Sequence, residues 1–337
     1  MIGKKRQLLS AMSTLLLVAF FLACSAGFKT QTITVDEPFK PRQFDTEFNG
    51  EWFGNAVCYG PHRDGQRPGG PNPTAGELRE DLDLMLPHWN LLRVYSSRGP
   101  SELLLDVISA EQLNMKVMLG AWIAAESPEA NQRELDAAIR LANEYSDIVV
   151  AVSVGNETQV HWSAHKSPLD SLIEHVRRVR QHVKVPVTVA DDFNFWNKPE
   201  SRTLAAELDF ITMHAHPMWN GVQLADALDW LKAQVAIVEA MHPERQIVIG
   251  ETGWATSVAS EGEQATLIKG RPGEFEQMIF YDSLRLWYDS IHKCVFVFEA
   301  FDENWKGGSN PEEVEKHWGL FRADRTPKVA LESAAQP

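Results

Sequence analysis

The sequence predicts an α/β fold, a (β/α)8 barrel that forms a single domain, and two observations support this prediction. Eight short apolar segments alternate along the chain with amphipathic stretches of helical periodicity. The apolar segments are almost continuously hydrophobic, which is typical of parallel strands buried on both faces. The alternative is a doubly wound open sheet, which usually has a glycine-rich phosphate-binding turn after its first strand. The segment from Tyr59 to Gly65 has no such turn.

The predicted elements alternate in chain order, and each of the first seven strands is followed by a helix. Runs of four to eight apolar residues are assigned to strands and the longer amphipathic stretches to helices. The strands are predicted at 54–59, 91–95, 116–119, 148–154, 185–190, 210–214, 246–249 and 294–298. The helices are predicted at 75–85, 101–112, 129–144, 169–182, 202–207, 224–241 and 274–289. No Walker or dinucleotide-binding motif occurs among them, and no cofactor is expected.

Residues 1–23 are predicted to be a signal peptide and are set apart from the barrel. Basic residues at 4–6 precede an apolar run that is densest from Leu15 to Ala23 and is too short to span a bilayer. The segment Phe21-Leu22-Ala23-Cys24 resembles a bacterial lipobox, which predicts cleavage before Cys24 and lipid attachment to that residue. The alternative is ordinary signal-peptidase cleavage after Ala26.

A polar linker is predicted at 24–48 and the barrel domain at 49–333. Threonine, glutamine and proline are frequent in the linker, which suits a tether between a lipid anchor and a folded domain. We therefore expect an exported protein held at the cell envelope, in the outer membrane or periplasm, by its lipid alone. Plain secretion is the alternative.

Composition and charge exclude several classes of partner. There are 46 acidic residues against 32 basic ones, a net charge of −14, which argues against nucleic acid or an anionic polymer as a ligand. A neutral polymer fits better. Apart from Cys24, the only cysteines are Cys58 and Cys294, so no disulfide framework is expected. Both lie in strand-like segments and are predicted to be buried free thiols.

Tryptophans follow each of the last six predicted strands. Active sites of this barrel lie at the carboxyl ends of the strands, so residues just beyond the strands are candidates for ligand contact. Indole rings in such loops offer flat apolar faces that suit the C–H faces of sugar rings. The sequence therefore predicts a carbohydrate cleft. The residues concerned are Trp122, Trp162, Trp196, Trp219, Trp254 and Trp305.

Two glutamates stand just beyond the fourth and seventh strands. Glu157 follows the segment Val152–Asn156, and Glu251 follows the segment Ile247–Gly250. Cleavage of a glycosidic bond needs one protonated carboxyl to release the leaving oxygen and one ionised carboxylate to attack or to direct water. If the two carboxyls lie about 5–5.5 Å apart, Glu251 can attack the anomeric carbon and the configuration is retained.

These segments resemble the retaining clan A of (β/α)8 glycosidases and, more narrowly, glycoside hydrolase family 17, the β-1,3-glucanases and related glucanosyltransferases. Asn156-Glu157 matches the clan, and Glu251-Thr252-Gly253-Trp254 matches the family. The segments 298–306 and 318–321 resemble its last-strand signature, and 59–61 and 92–96 resemble its first two strand ends. The resemblance runs in order from about residue 49 to residue 327.

The resemblance implies roles for individual residues. Glu157 would be the general acid/base, Glu251 the nucleophile, and Asn156 a ligand of the hydroxyl next to the anomeric carbon. A supporting cluster of Glu303, Lys306 and Glu315 is implied near the nucleophile, where Lys306 would keep Glu251 ionised. Together with that cluster and Asn156, the expected substrate-contacting residues are Tyr59, Arg93, Tyr95, Trp122, His214, His216, Trp219 and Trp254.

His214 and His216 also raise the question of a metal site. Residues two apart share one face of a strand, so both imidazoles could ligate one ion. No HExxH motif accompanies them. A histidine that holds the nucleophile or a sugar hydroxyl is the better interpretation, and no metal is expected. The segment His214-Ala215-His216-Pro217 departs from the family's usual Ile-Tyr-Pro, which leaves the subsite contacts and the linkage preference open.

Three function classes remain open from the sequence. The first is an enzyme that acts on β-1,3-glucan through a glycosyl-enzyme intermediate, captured by water in hydrolysis or by a sugar in glucanosyl transfer. The second is the same chemistry on another β-glycan, such as a β-1,4-linked glucan or mannan. The third is a lipid-anchored glycan-binding protein without turnover, which the presence of both Glu157 and Glu251 opposes.

Overall fold

A closed barrel of eight parallel strands forms the centre of the computed structural model, which describes residues 39–332. The strands are β3 Asn55–Cys58, β4 Leu91–Arg93, β5 Lys116–Ala121, β6 Val149–Asn156, β7 Val187–Asp192, β8 Ile211–His214, β9 Ile247–Thr252 and β10 Val295–Val297. They are hydrogen-bonded in chain order, and β10 closes the barrel against β3. The predicted (β/α)8 fold is confirmed.

The helices surround the barrel. They are α1 Ala75–Met85, α2 Ser101–Ala110, α3 Pro128–Glu144, α4 Leu169–His182, α5 Phe193–Trp196, α6 Arg202–Ala205, α7 Leu224–Met241, α8 Gly262–Leu267, α9 Glu274–Ile291 and α10 Val329–Glu332. The first begins with a capping box between Thr74 and Glu77, which satisfies backbone donors at its amino end. Short 3-10 turns occur at Pro199–Ser201 and Val314–Lys316.

Residues 39–48, assigned above to the linker, pack against the barrel. Arg42 forms an ion pair with the buried Asp209, with 2.7 Å between Nη2 and Oδ2. The ring of Phe44 is buried and stacks on Phe210, with ring centroids 4.7 Å apart. A small hairpin follows, with β1 at Glu47–Phe48 and β2 at Glu51–Trp52. The domain boundary predicted at residue 49 is therefore too late in the chain. The predicted signal peptide and Cys24 lie outside the described residues.

Four strands extend further toward their carboxyl ends than the sequence predicts. Strand β5 ends at Ala121, β6 at Asn156, β7 at Asp192 and β9 at Thr252. Polar residues interrupt the apolar pattern there, but their backbones still pair with neighbouring strands, as Asn156 does with Ala190. The extension places Glu251 within β9, where it pairs with His214 of β8 and its carbonyl accepts from the amide of Ala215 at 3.0 Å.

The core fills the barrel and the layer between strands and helices. Cys58 and Cys294 are buried free thiols, as predicted. Within residues 39–332 no helix combines the length and apolar character needed to cross a bilayer.

Candidate active site

The two predicted catalytic glutamates meet at the carboxyl end of the barrel. Glu157 directly follows β6, Glu251 lies in β9, and strands β7 and β8 stand between them. One carboxylate oxygen of Glu157 lies within 4.8 Å of one of Glu251. Retaining glycosidases place their carboxyls about 5–5.5 Å apart, whereas inverting enzymes leave about 6.5–9.5 Å for a water. This pair has the short separation.

A sharp irregular turn presents Glu157 to the cleft. Gly155 and Glu157 both have left-handed backbone conformations, with φ of 86° and 47°. Glycine adopts such angles easily, whereas glutamate does so only when surrounding contacts hold it. One such contact is the hydrogen bond that the Glu157 amide donates to the carbonyl of Ala190, at 2.8 Å. The Glu157 side chain remains 26% exposed, so it can reach a substrate.

Glu251, by contrast, is buried among donors. Its Oε1 accepts hydrogen bonds from Arg93 at 2.6 Å and from the hydroxyl of Tyr95 at 3.0 Å. Nε2 of His216 lies 3.4 Å from Oε2. Burial alone would raise the pKa of Glu251. The charge of His214, the hydrogen bond from His216 and the charge of Arg93 outweigh burial and hold this pKa well below its usual range. Glu251 is therefore an ionised carboxylate at neutral pH.

His214 links the two carboxylates. It is fully buried, and its Nδ1 lies 3.1 Å from Oε1 of Glu157 while its Nε2 lies 3.5 Å from Oε1 of Glu251. These three residues are also the donor group that could hold a cation. Since the ring presents a different nitrogen to each carboxylate, the arrangement suits a histidine that fixes their orientation.

Arg93 holds Glu251 rather than lining the cleft, which corrects its expected role in substrate contact. The guanidinium is buried, with Nη1 bound to Glu251 and Nη2 2.5 Å from Oδ1 of Asn156. Arg93 thereby holds both Glu251 and the residue that precedes Glu157. The amide oxygen of Asn156 is occupied by this bond, which leaves its NH2 group to donate elsewhere.

Contrary to the expectation from the sequence, Lys306 is paired with residues other than Glu251. Its ammonium forms ion pairs with Glu299, at 2.6 Å, and with Glu303, at 2.8 Å. Burial raises the pKa of Glu299 well above its usual range, whereas Lys306 outweighs burial at Glu303 and lowers that pKa. The cation that binds Glu251 is instead Arg93, and four strands of the barrel, β5 to β8, separate these two residues along the chain.

Tyr59 is also misassigned as a substrate contact. The side chain is buried, its ring meets Phe301 edge-on, and its hydroxyl donates to Oδ2 of Asp81 at 2.9 Å. Asp81 in turn binds Arg325 at 2.9 Å. Tyr59 therefore belongs to a buried polar network between the barrel and α1.

The tryptophans divide into two groups. Trp122, Trp162 and Trp305 are 38%, 49% and 38% exposed, and Trp219 is half-buried, with Nε1 donating to Glu315 at 3.1 Å. These four are available to a ligand.

Trp196 and Trp254 are buried, so their prediction as cleft residues is wrong. The Trp254 indole donates to the carbonyl of Arg271 and packs against Phe280 of α9. Trp196 donates to the carbonyl of Thr212. Both rings fill the layer between strands and helices, where large apolar volume is needed.

Four residues near the site were not assigned to it from the sequence. Asp191 and Asp192 end β7, and both are buried. Burial raises the pKa of Asp192 to about 6. Nε2 of His165 lies 2.6 Å from the carbonyl oxygen of Asn156, and its ring packs on Trp122 at 4.3 Å. Position at a strand end would have identified the two aspartates and Glu299, but nothing in the sequence brings His165 to Trp122.

Comparison with known proteins agrees with this geometry. Residues 56–319 match the family model of the BtgE/BtgC glycoside hydrolase domain. A glucan 1,3-beta-glucosidase of Schizosaccharomyces pombe is 27% identical over 76% of this chain and 80% of its own. Another glucan 1,3-beta-glucosidase, from Arthroderma benhamiae, is 27% identical over 78% of this chain and 86% of its own.

Two solved structures share the fold. An endo-laminarinase from Formosa Hel1_33_131 has a TM-score of 0.74 and 27% identity, covering 83% of this chain and 86% of that one. The glycoside hydrolase family 17 β-1,3-glucanosyltransferase of Rhizomucor miehei has a TM-score of 0.67 and 24% identity over 82% and 96%. The predicted resemblance to that family is confirmed. Since the family model covers most of its length, the chain belongs to the family of the BtgE/BtgC glycoside hydrolase domain.

Proposed function

We propose that this glycosidase cleaves β-1,3-glucan by double displacement with retention of configuration. The observation that carries the mechanism is the short separation of the two carboxylates, within 4.8 Å between oxygens. That gap suits direct attack on the anomeric carbon and leaves little room for an intervening water. The substrate class is supported by the relatives, which are named glucan 1,3-beta-glucosidases and an endo-laminarinase.

The environments of the two glutamates give each its role. Glu251, ionised and fixed by Arg93 and Tyr95, attacks the anomeric carbon while Glu157 protonates the departing glycosidic oxygen. A glycosyl-enzyme ester forms and the sugar on the reducing side leaves as an alcohol. Glu157, now a carboxylate, takes a proton from water as that water attacks the same carbon. The ester bond breaks, Glu251 is restored, and two inversions give net retention.

Asn156 fits the role of holding the reacting sugar. Its oxygen is bound by Arg93, so its NH2 group is free to donate to the hydroxyl next to the anomeric carbon. Hydrogen bonds at that hydroxyl strengthen in the transition state of glycosidases. Tyr95 and His216 support the nucleophile from two sides.

The remaining chain of the glucan would cross the barrel mouth. One cavity is lined by Asp64, Arg67 and Trp305 on the loops after β3 and β10. A second is lined by Trp162, Asn194 and Lys198 on the loops after β6 and β7. In the closed strand order these two pairs are opposite each other, with Glu251 on β9 between them and Glu157 on the loop that follows β6 of the second pair. The second cavity is next to the loop of Glu157, so we assign it to the leaving sugar.

Product analysis tests this function. Purified protein is incubated with linear β-1,3-glucan, β-1,4-glucan and mannan, and products are followed by chromatography and by NMR of the new anomeric proton. We expect β-anomers to form first, from the β-1,3-linked substrate. Longer products than the starting oligosaccharide would indicate transfer. Binding without any product would contradict the proposal and favour a glycan-binding protein.

We further propose export and lipid attachment through Cys24, on the sequence pattern alone. A cell expressing the full chain should carry it in the membrane fraction, and Cys24→Ser should release it into a soluble fraction. Unchanged membrane association of the variant, or a mature protein that begins at Gly27, would rule out the lipid anchor.

A further inference from the structure

A buried carboxylate lies beside the acid/base turn and has no part in the proposed mechanism. Asp191 is the fifth residue of β7 and is fully buried. Its Oδ2 accepts a hydrogen bond from the backbone amide of Gln159 at 2.8 Å, and its Oδ1 accepts one from the backbone amide of Asp192 at 3.0 Å. None of the ion pairs found between residues 39 and 332 involves it. Asp191 is thus a buried acid held only by backbone donors.

The Gln159 bond restrains the turn that presents Glu157. The turn is irregular, since Gly155 and Glu157 are both left-handed, and the β6–β7 register shifts between Ser153 and Asn156. Two neighbouring residues of β7 accept hydrogen bonds from this turn. The carbonyl of Ala190 accepts from residue 157, and the carboxylate of Asp191 accepts from residue 159. Without the second bond, the Ala190 bond would be the one remaining hydrogen bond found between residues 157–159 and β7, next to a glutamate in an unfavourable conformation.

The kind of acceptor is itself informative. Burial and the nearby charge of Glu157 raise the pKa of Asp191 well above its usual range, so a carboxylate is costly at this position. The carboxyl group nevertheless offers two oxygens, and each accepts from a different backbone amide, which a side chain with a single oxygen could not match. A residue that served packing alone would gain nothing from a carboxyl group here.

We propose that Asp191 is a positioning residue for the acid/base: through Gln159 it holds the turn that aims the Glu157 carboxyl at the glycosidic oxygen. The inference rests on the proposed function and adds a residue to it. Misplacement of a catalytic group by about 1 Å can cost roughly 10²-fold in rate. Loss of Asp191 should therefore impair the steps that need Glu157 and spare those that do not.

Leaving-group dependence separates these steps. The leaving group of a β-1,3-linked oligosaccharide is a sugar alkoxide, which needs a proton from the acid. The leaving group of a 2,4-dinitrophenyl β-glucoside is a phenolate, which departs without one. For Asp191→Ala we expect kcat/KM to fall about 10–100-fold on the oligosaccharide and less than about 3-fold on the aryl glucoside. Asp191→Asn keeps one amide oxygen as acceptor and should lie between Asp191→Ala and the wild type. Azide should raise kcat of Asp191→Ala on the aryl glucoside, because it needs no general base.

Asp209→Asn is the matched control. Asp209 is also a buried aspartate that accepts from β7, but it binds the amide of Val187 at the opposite end of that strand. When its loss of Tm matches that of Asp191→Ala, Asp209→Asn should lower kcat/KM by the same factor on the two substrates. If Asp191→Ala also lowers kcat/KM by the same factor on the two substrates, or lowers it on neither, Asp191 does not position the acid/base. Absence of wild-type activity on both substrates would instead refute the proposed function.

Discussion

Nη1 of Arg93 lies 2.6 Å from Oε1 of Glu251, and both side chains are almost completely buried. A buried ion pair pays a desolvation cost that its attraction only partly offsets, so it is weak evidence for stability. Its value here is positional. The same guanidinium binds Asn156, so one cation from β4 bridges Glu251 and the residue that precedes Glu157.

Replacement of Arg93 should damage both stability and activity. In Arg93→Met the Glu251 carboxylate is left buried without its cation, which typically costs about 3–5 kcal/mol of unfolding free energy. We expect kcat to fall about 10²–10³-fold, as when a preorganised electrostatic contact is removed from an active site. Urea unfolding and steady-state kinetics measure the two effects. Arg140→Ala, which breaks an exposed pair with Glu102, should cost less than about 1 kcal/mol and leave kcat unchanged.

The lowered pKa of Glu251 predicts a pH-dependent stability difference. A carboxyl whose pKa is lowered by folding stabilises the protein above its unfolded-state pKa of about 4.3 and loses that contribution as pH falls through the folded-state value. We therefore expect the wild type to exceed Glu251→Gln in unfolding free energy near neutral pH. This difference should shrink between about pH 5 and the lowest pH at which both proteins fold. Urea titrations at successive pH values measure it; a difference that stays constant or grows on acidification would contradict the assignment.

The barrel and the position of Glu157 and Glu251 at its carboxyl end could be predicted because they depend on local pattern. Alternating apolar and amphipathic segments specify strands and helices, and a residue just past a strand must stand at the carboxyl end of the barrel. Glu157 and Glu251 needed nothing more to be found. Asp191 and Asp192 satisfied the same rule, and their placement beside Glu157 follows from it.

Contacts between distant segments were not predictable in this way. Arg93 and Lys306 are both cations near strand ends, and only the barrel geometry shows that Arg93 reaches Glu251 while Lys306 is bound by Glu299 and Glu303. The prediction that Trp254 lines the cleft was wrong for a related reason. It follows a strand just as Trp162 does, but its ring turns outward onto α9, and the direction of a side chain in a loop has no sequence period.

This contrast between tryptophans yields a paired experiment. Trp162 is 49% exposed beside the cavity assigned to the leaving sugar, whereas Trp254 is buried. Trp162→Ala should raise KM for long oligosaccharides several-fold, because sugar stacking is lost, and should leave Tm nearly unchanged. Trp254→Ala should cost about 3–5 kcal/mol of unfolding free energy by opening a cavity in the core. Thermal unfolding measures the effect of each variant on Tm, and kinetics on oligosaccharides of increasing length measure its effect on KM. Equal effects of both variants on KM and Tm would contradict the assignment of the cleft.

The last prediction concerns the division of labour between Glu157 and Glu251. General acid catalysis contributes about 10²–10⁴-fold and matters most when the leaving group is poor. Glu157→Ala should be nearly inactive on β-1,3-glucan, yet it should still form the glycosyl-enzyme from an aryl glycoside whose phenolate needs little protonation. Mass spectrometry of the trapped ester detects this species. Azide should then attack the ester without a general base and release the β-azide, with net retention.

Glu251→Ala should fail in a different way, since without the nucleophile no ester can form from either substrate. Azide that enters the space left by the carboxylate would attack the substrate directly, with Glu157 still present as the acid, and the single inversion would give the α-azide. NMR of the azide products distinguishes the two variants by the configuration at one carbon. Inversion by the wild type, or full activity of either alanine variant, would mean that these carboxylates do not carry the reaction.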